Sequence, residues 1–180
     1  MATIDVSRYS EDPACTTPDG LRDKLIADLL PQVRKMKLQR NECLVATYIS
    51  SHRTKGGIII PGKTQDEDRY QGKVGLLLAC GPAAFDLEYI NQAVESAVDV
   101  AREVDRQNGD EFTDEREDAA TATALDTMGV PKVGEWVVYR TSETHEVGVS
   151  VGDSEHTLVS CRFITDECIK MSITDPTIIY

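Results

Sequence analysis

The stretch Thr54-Lys55-Gly56-Gly57-Ile58-Ile59-Ile60-Pro61-Gly62-Lys63 sets three consecutive isoleucines between a Gly-Gly pair and a Pro-Gly pair. Polar residues flank it on both sides, over 50–53 and 64–69. The glycine pair gives the backbone freedom, and Pro61 removes a donor and resists regular strand pairing. The pattern fits either a short buried strand between turns or an apolar tripeptide on a mobile loop that is buried only in a partner. The polar flanks favour the loop, because a triplet inside a long polar loop has little core of its own to enter.

Four stretches of the chain resemble the GroES-type co-chaperonins, in the order in which they occur in that family. Thr54–Lys63 is similar to the family's mobile loop, whose Gly-Gly and apolar triplet dock into the apical groove of a chaperonin. Gln71–Pro82 resembles the strand after that loop, Lys132–Tyr139 the start of a later barrel strand, and Phe163–Lys170 the closing segment. The N-terminal residues and the insertion between Pro82 and Gly129 lie outside the resemblance, and the insertion is more like phage-encoded members of the family.

The resemblance implies a mainly β fold: a small GroES-like antiparallel β-barrel with an N-terminal helix and an acidic α-helical insertion. The resemblance divides the chain into four parts. They are an N-terminal arm and short amphipathic helix (1–32), a first part of the barrel with the mobile loop 50–70 (33–81), the insertion at the roof-loop position (82–130), and the second part of the barrel with a C-terminal tail (131–180).

The resemblance also implies a function, that of a phage-encoded co-chaperonin in the host cytoplasm. Such a protein self-associates into a sevenfold ring and caps a GroEL-like chaperonin ring of the host, so that (phage) proteins fold inside. The residues that match the partner-binding loop are Gly56, Gly57, Ile58, Ile59, Ile60 and Pro61.

The alternative is that the chain is a structural protein. A phage could reuse the same barrel as a virion component, either a capsid decoration or part of a tail ring, with capsid or tail proteins as partners. The polar N-terminal arm and the amphipathic helix after it suit assembly. Stoichiometric presence of the chain in mature particles would separate the two functions.

Local patterns predict several short strands and an N-terminal helix. The strands are Leu44–Ile49, Val74–Cys80, Trp136–Tyr139, Val147–Val151, Thr157–Phe163 and Cys168–Ile173. Gly152-Asp153 signals a hairpin, and short strands with turn punctuation are typical of a small antiparallel barrel. A helix begins at Pro18 with Asp19 as its candidate cap, and Pro31 disfavours helix from Leu30 onward. Its apolar stripe would pack either on the barrel or on another subunit. The stripe consists of Leu21, Leu25, Ile26, Leu29 and Leu30.

The insertion changes to a helical period at Asp86, and Asn108-Gly109 is expected to end that helix. Its apolar stripe contains Leu87, Ile90, Val94, Ala97, Val98, Ala101 and Val104. A second helix is predicted over 114–127, with Asp114 and Glu117 spaced as a capping box and Gly129 beyond its end. Between Asp86 and Thr127 there are 13 acids and 3 bases, which leaves the rest of the chain only −2 of the formal net charge of −12. This run is either a solvated acidic hairpin or, by the resemblance, a reshaped dome whose charges would repel around a ring axis.

The composition of the 180-residue chain restricts its partners. A net charge of −12 argues against a general nucleic-acid binder and against attraction to anionic lipid. No apolar run approaches the roughly 18 residues of a membrane span, and the first residues carry neither a basic nor an apolar segment typical of a signal peptide. We therefore expect no nucleic acid and no membrane among the partners.

The residues that carry chemistry form no recognisable constellation. The five cysteines include no C-x-x-C pair, and no histidine joins them at ligand spacing, so free thiols in a reducing cytoplasm are the simplest account. The sequence has no G-x-S-x-G, phosphate-binding loop or H-E-x-x-H, and Asp66, Glu67 and Asp68 lie in a polar loop where nothing raises their pKa. We expect a non-enzyme without metal or cofactor.

Overall fold

A computed structural model of the chain describes residues 3–4, 9, 12–48, 73–151 and 157–179. In these residues the chain forms seven strands and three α-helices. The strands are β1 Thr3–Ile4, β2 Glu42–Thr47, β3 Val74–Cys80, β4 Trp136–Tyr139, β5 His145–Ser150, β6 Thr157–Thr165 and β7 Ile169–Ile173. The helices are α1 Pro18–Val33, α2 Glu88–Asn108 and α3 Asp114–Thr127.

The strands form one sheet, in which six strands follow the order β7-β4-β3-β2-β6-β5 and are antiparallel to their neighbours. The two-residue β1 pairs with β6 in parallel. Leu158 of β6 pairs with Ile4 on one side and Ser150 on the other, so β1 lies on the side of β6 opposite to β5. The predicted hairpin between β5 and β6 is confirmed by their pairing, although its turn lies outside the described residues.

This fold is mixed α and β, where the sequence predicted mainly β, and the sheet is not closed into a barrel. In the described part of the chain no pairing joins the edge strands β5 and β7. Short strands and turns are common to barrels and open sheets, and closure depends on whether the two edge strands meet. The pattern of strands and turns in the sequence does not show whether the two edge strands pair with each other.

The chain divides into two units, which we call the sheet unit, Met1–Ala84 with Lys132–Tyr180, and the helical unit, Phe85–Pro131. In the sheet unit α1 packs on one face of the sheet, and the core between them contains Leu25, Leu29, Val33, Leu44, Ala46, Val74, Leu76, Leu78, Trp136, Val149, Val151, Val159 and Cys161. Residues of the opposite face, such as Val45, Leu77 and Val137, are also fully buried. Burial on both faces explains why β3 is almost continuously apolar.

Helix α1 begins at Pro18 as predicted, but its capping residue and its C-terminal end differ from the prediction. Its N-cap is Thr17, whose hydroxyl accepts a hydrogen bond from the Gly20 amide at 3.1 Å, and Asp19 lies in the first turn. The helix also continues through Pro31 to Val33. A proline in the last turn removes a single helical hydrogen bond, and Val33 is buried in the core, which favours one more turn of helix. Because its apolar residues contact the sheet of the same chain, α1 packs on its own sheet.

The described N-terminal residues contact other parts of the same chain. Thr3 and Ile4 pair with Thr157 and Leu158. The Tyr9 hydroxyl donates a hydrogen bond to Asp28 of α1 at 3.1 Å.

Candidate partner-binding site

The six residues that the sequence assigns to partner binding, Gly56 to Pro61, lie outside the described residues. Their assignment remains a prediction. What the structure describes is the frame from which segment 49–72 leaves and to which it returns. We call this frame the segment base, and it contains Thr47, Tyr48, Lys73, Val74 and Gly75.

The two ends of the segment lie side by side, because β2 and β3 are neighbouring antiparallel strands. Thr47 is paired with Gly75, and the Tyr48 amide donates a hydrogen bond to the Val74 carbonyl at 2.9 Å. The Tyr139 amide of β4 donates to the Lys73 carbonyl at 2.8 Å. The segment therefore leaves the sheet and returns to it at one place, held by backbone bonds across three strands.

Aromatic rings pack closely at the segment base. A Cβ atom added at Gly75 would lie 2.7 Å from the Ala46 carbonyl oxygen and 3.2 Å from the Tyr139 ring, so this position requires glycine. On the α1 side, the rings of Tyr48 and Trp136 meet edge to face with centroids 5.7 Å apart. Such packing leaves the base little freedom to move, whatever the segment itself does.

The Tyr139 phenol is buried beside the Thr47 hydroxyl. Burial raises its pKa, and the neighbouring Thr47 hydroxyl and the Arg162 charge oppose part of that rise. No hydrogen bond of good geometry joins the two hydroxyls within the described residues. The phenol is therefore neutral at physiological pH, and it contributes packing rather than charge.

A second buried polar group lies on β6 and was missed by sequence reasoning. Arg162, which is only 6% exposed, donates a hydrogen bond to the Thr144 hydroxyl at 2.6 Å and stands opposite Glu146 in the β5–β6 register. The buried Ser160 hydroxyl donates to Glu146 at 3.1 Å. The alternation of Ser160 and Arg162 with Val159, Cys161 and Phe163 is the signal that could have revealed a polar strip on this face.

The three arginines of the helical unit are paired with acidic residues of the same unit. Arg116 makes two hydrogen bonds to Asp105, at 2.7 and 3.2 Å, and these hold the pKa of that carboxyl below its usual value. Arg102 pairs with Asp99 at 3.4 Å, and Arg106 with Glu103 at 2.8 Å. Since all three bases between Asp86 and Thr127 are paired within the unit, the excess of acids is left to meet solvent or a partner.

The helical unit also corrects two predictions on its helices. Thr113 caps α3, with its hydroxyl 3.4 Å from the Arg116 amide, so Asp114 is the first helical residue and no Asp114–Glu117 capping box forms. On α2 the end at Gly109 is confirmed by its left-handed φ of 77°. The buried face, however, takes in Asp105, and Val104 is 44% exposed.

One exposed face of α2 is partly apolar. Tyr89 is 57%, Val100 62% and Val104 44% exposed. Val100 and Val104 line an open groove of about 550 Å³, together with polar and acidic residues of the same helix such as Ser96, Asp99 and Glu103. An apolar strip bordered by acids is a candidate contact surface.

Neither the models of known protein families nor the curated proteins contain a match to this chain. Among the described residues, no group of three His, Cys, Asp or Glu side chains is placed to hold a metal ion. None of the helices in this part of the chain combines the length and apolar character needed to span a bilayer. The assignment of function therefore depends on the resemblance in sequence and on the segment base.

Proposed function

We propose that this protein is a phage-encoded co-chaperonin that caps a GroEL-like chaperonin ring of the host through Ile58, Ile59 and Ile60, with Gly56 and Gly57 as the joint of the loop and Pro61 ending the triplet. The observation that carries the proposal is the segment base. It returns a 24-residue segment, 49–72, to the strand beside the one it left. A connection of this length between neighbouring strands has ample reach to present an apolar triplet away from the sheet.

The order of the described strands agrees with the resemblance. Strand β3 follows the triplet, β4 follows the insertion, and β6 with β7 forms the closing part of the chain. We propose that the sheet unit takes the place of the family's GroES-like barrel. Its edge strands β5 and β7 would then be free to meet neighbouring subunits of a ring.

The energetics explain why a weak loop and an oligomer belong together. Burying one isoleucine side chain is worth roughly 1.5–3 kcal/mol, whereas each loop residue that becomes ordered costs about 1–2 kcal/mol. A single loop therefore binds weakly. Several loops on one ring make the later contacts intramolecular and raise the affinity greatly, while each contact stays easy to break. A cap that must open and close needs this combination.

The decisive variant is Ile59→Asp. It places a charge where the proposal puts an apolar anchor, so co-sedimentation with a GroEL-like chaperonin in the presence of nucleotide should fall to background. The ring, measured by analytical ultracentrifugation, should stay intact, because the edge strands β5 and β7 that we propose join the subunits are unchanged. A matched control is Val100→Asp, which makes the same kind of change at a 62% exposed position of α2 and should bind as the wild type does. Equal co-sedimentation of Ile59→Asp and wild type would refute the proposed anchor.

The virion function has one observation in its favour, the exposed apolar strip of α2 at Tyr89, Val100 and Val104. A capsid or tail protein could cover it. In that case the chain would be found in purified mature particles at a fixed ratio to the capsid protein, and Val100→Asp rather than Ile59→Asp would remove it. This alternative depended in part on the apolar face of α1 being available to contact other proteins. That face packs on the sheet of the same chain.

A further inference from the structure

Two of the five cysteines face one another across the centre of the sheet. Cys43 of β2 is paired in register with Cys80 of β3, and both are free thiols. The Gly81 amide donates to the Glu42 carbonyl at 2.7 Å, directly beside this pair. That bond makes Cys43 and Cys80 a non-hydrogen-bonded pair, the type in which opposite Cα atoms approach most closely, to about 4.5 Å.

A bulge creates this arrangement. From Thr47 to Val45 the strands follow one register, with Val45 opposite Leu77, and then the register shifts so that Leu44 stands opposite Ala79. Leu78 is the extra residue. Without the shift, Cys43 would face Ala79, and the side chain of Cys80 would point to the other side of the sheet.

The register of the pair is compatible with a cross-strand disulfide. Disulfides form at Cα separations of roughly 4.4–6.8 Å, a range that contains the spacing of a non-hydrogen-bonded pair. Cys43 is fully buried, whereas Cys80 is partly exposed at the end of β3, so a reagent in solution can reach Cys80 first. The other three cysteines have different neighbours: Cys161 stands opposite Ala46 and Val147, Cys168 lies 3.4 Å from the Thr165 hydroxyl, and Cys15 is in the N-terminal region.

The electrostatics of the pair separate its members. The interaction between the two side chains lowers the pKa of Cys80 and raises that of Cys43. Burial and the nearby Asp166 carboxylate oppose thiolate formation at both cysteines. The pKa of Cys80 remains below that of Cys43. Cys80 is thus suited to attack, and Cys43 to resolve the product.

We propose that Cys43 and Cys80 are a reversible disulfide site that reacts with small-molecule disulfides such as oxidised glutathione. The Cys80 thiolate attacks one sulfur of the reagent, forms a mixed disulfide and expels a first glutathione thiolate, which takes up the proton that Cys80 lost. Cys43 then gives up its proton, attacks the Cys80 sulfur and expels the second glutathione. The protein pair is oxidised by two electrons, and one glutathione disulfide is reduced to two thiols.

The bond would close the strand pair at the end opposite the segment base. The ring of chain from Cys43 to Cys80 contains the whole segment 49–72, so oxidation would restrict that segment in the unfolded state and stabilise the paired strands. This site goes beyond the proposed function and does not depend on it, because it can be measured without a chaperonin.

The test is a native incubation of the full chain with oxidised glutathione, followed by alkylation, digestion and non-reducing mass spectrometry. We expect a cross-linked peptide that joins Cys43 to Cys80, no retained glutathione, a higher melting temperature, and full reversal by dithiothreitol. In Cys43→Ala the resolving thiol is missing, so glutathione should remain on Cys80. In Cys80→Ala, at a partly exposed position that tolerates the change more easily, we expect neither a cross-link nor an adduct on Cys43.

The matched control is Cys161→Ala, which removes a buried thiol of the same sheet and should leave the cross-link unchanged. Three outcomes would overturn the proposal. One is that both thiols stay reduced in the folded wild type, the second that wild type keeps glutathione on Cys80, and the third that Cys80→Ala still forms a cross-link through Cys43. If Cys43→Ala fails to fold, judged by circular dichroism, the wild-type and Cys80→Ala results decide alone.

Discussion

At the scale of single residues, Asp105 shows how a buried charge holds the helical unit together. It is 2% exposed, and Arg116 reaches both of its oxygens. The hydrogen bonds from Arg116 lower the pKa of Asp105 from its ordinary value of 3.8, even though burial alone would raise it. Since the folded state favours the carboxylate, the pair stabilises the fold above the unfolded pKa, and this contribution disappears as the pH falls through the lowered one.

We therefore predict that Asp105→Asn melts at a lower temperature than wild type at neutral pH, because a neutral amide makes a weaker bond to Arg116. The two melting curves should converge as the pH falls below the ordinary carboxyl pKa of 3.8 and through the lowered pKa of Asp105, because wild type then loses the stabilising carboxylate. Circular dichroism at the helical signal is the measurement. Asp99→Asn is the control, since it removes the same charge from α2 at an exposed pair with Arg102, and it should change little. A constant difference between Asp105→Asn and wild type at all pH values would contradict the prediction.

The sequence could not place Asp105 on the buried face. By period alone Val104 extends the apolar stripe, and an aspartate would be assigned to solvent. Its burial depends on Arg116, eleven residues later on another helix. The cap of α3 shows the same limit on a smaller scale, because Thr113 and Asp114 are both good capping residues and only the backbone conformation separates them.

At the scale of elements, α1 is the part of the sheet unit whose role the sequence left open. Leu25, Leu29 and Val33 lie four residues apart and are buried against the sheet. The spacing identified the helix and most of its apolar face. It could not tell a sheet of the same chain from another subunit, because both bury the same stripe. The strand bounds of β3 and β4 were predicted correctly, since turn residues punctuate both, whereas the bulge that pairs Cys43 with Cys80 has no local signal.

We predict that Leu29→Ala destabilises the protein by about 2–5 kcal/mol, the cost of a cavity at a fully buried leucine. Urea unfolding followed by the fluorescence of Trp136, which belongs to the same core, measures the loss. Leu30→Ala is the matched control, because it makes the same deletion at the next, only partly buried position and should cost clearly less. If Leu30→Ala is the more damaging change, or if either variant alters the oligomeric state while stability is unchanged, α1 serves assembly instead.

At the scale of the whole molecule, most of the net negative charge lies in one of the two structural units. The helical unit holds the 13 acids and 3 bases of 86–127, and the sheet unit carries almost no net charge. The insertion leaves after β3 and returns before β4, which are neighbouring antiparallel strands. The Gly134 amide donates to the Leu77 carbonyl at 2.8 Å, so the return point is fixed against β3. Since the core of the sheet unit contains no residue of the insertion, we expect the sheet unit to keep its pairings and core without it.

Replacing residues 85–131 by a short Gly-Ser linker should therefore leave a folded protein with cooperative unfolding and weaker helical circular dichroism. Its net charge falls from −12 to about −2, so it should elute from an anion exchanger at much lower salt. Under the proposed function it should still co-sediment with a GroEL-like chaperonin, because segment 49–72 and its base are retained. The same linker inserted at Gly109, a left-handed turn with open space around it, controls for the linker itself. An insoluble deletion variant beside a well-folded Gly109 insertion would mean that the sheet unit needs the helices. A folded deletion variant that no longer binds chaperonin would instead move the binding site to the acidic unit.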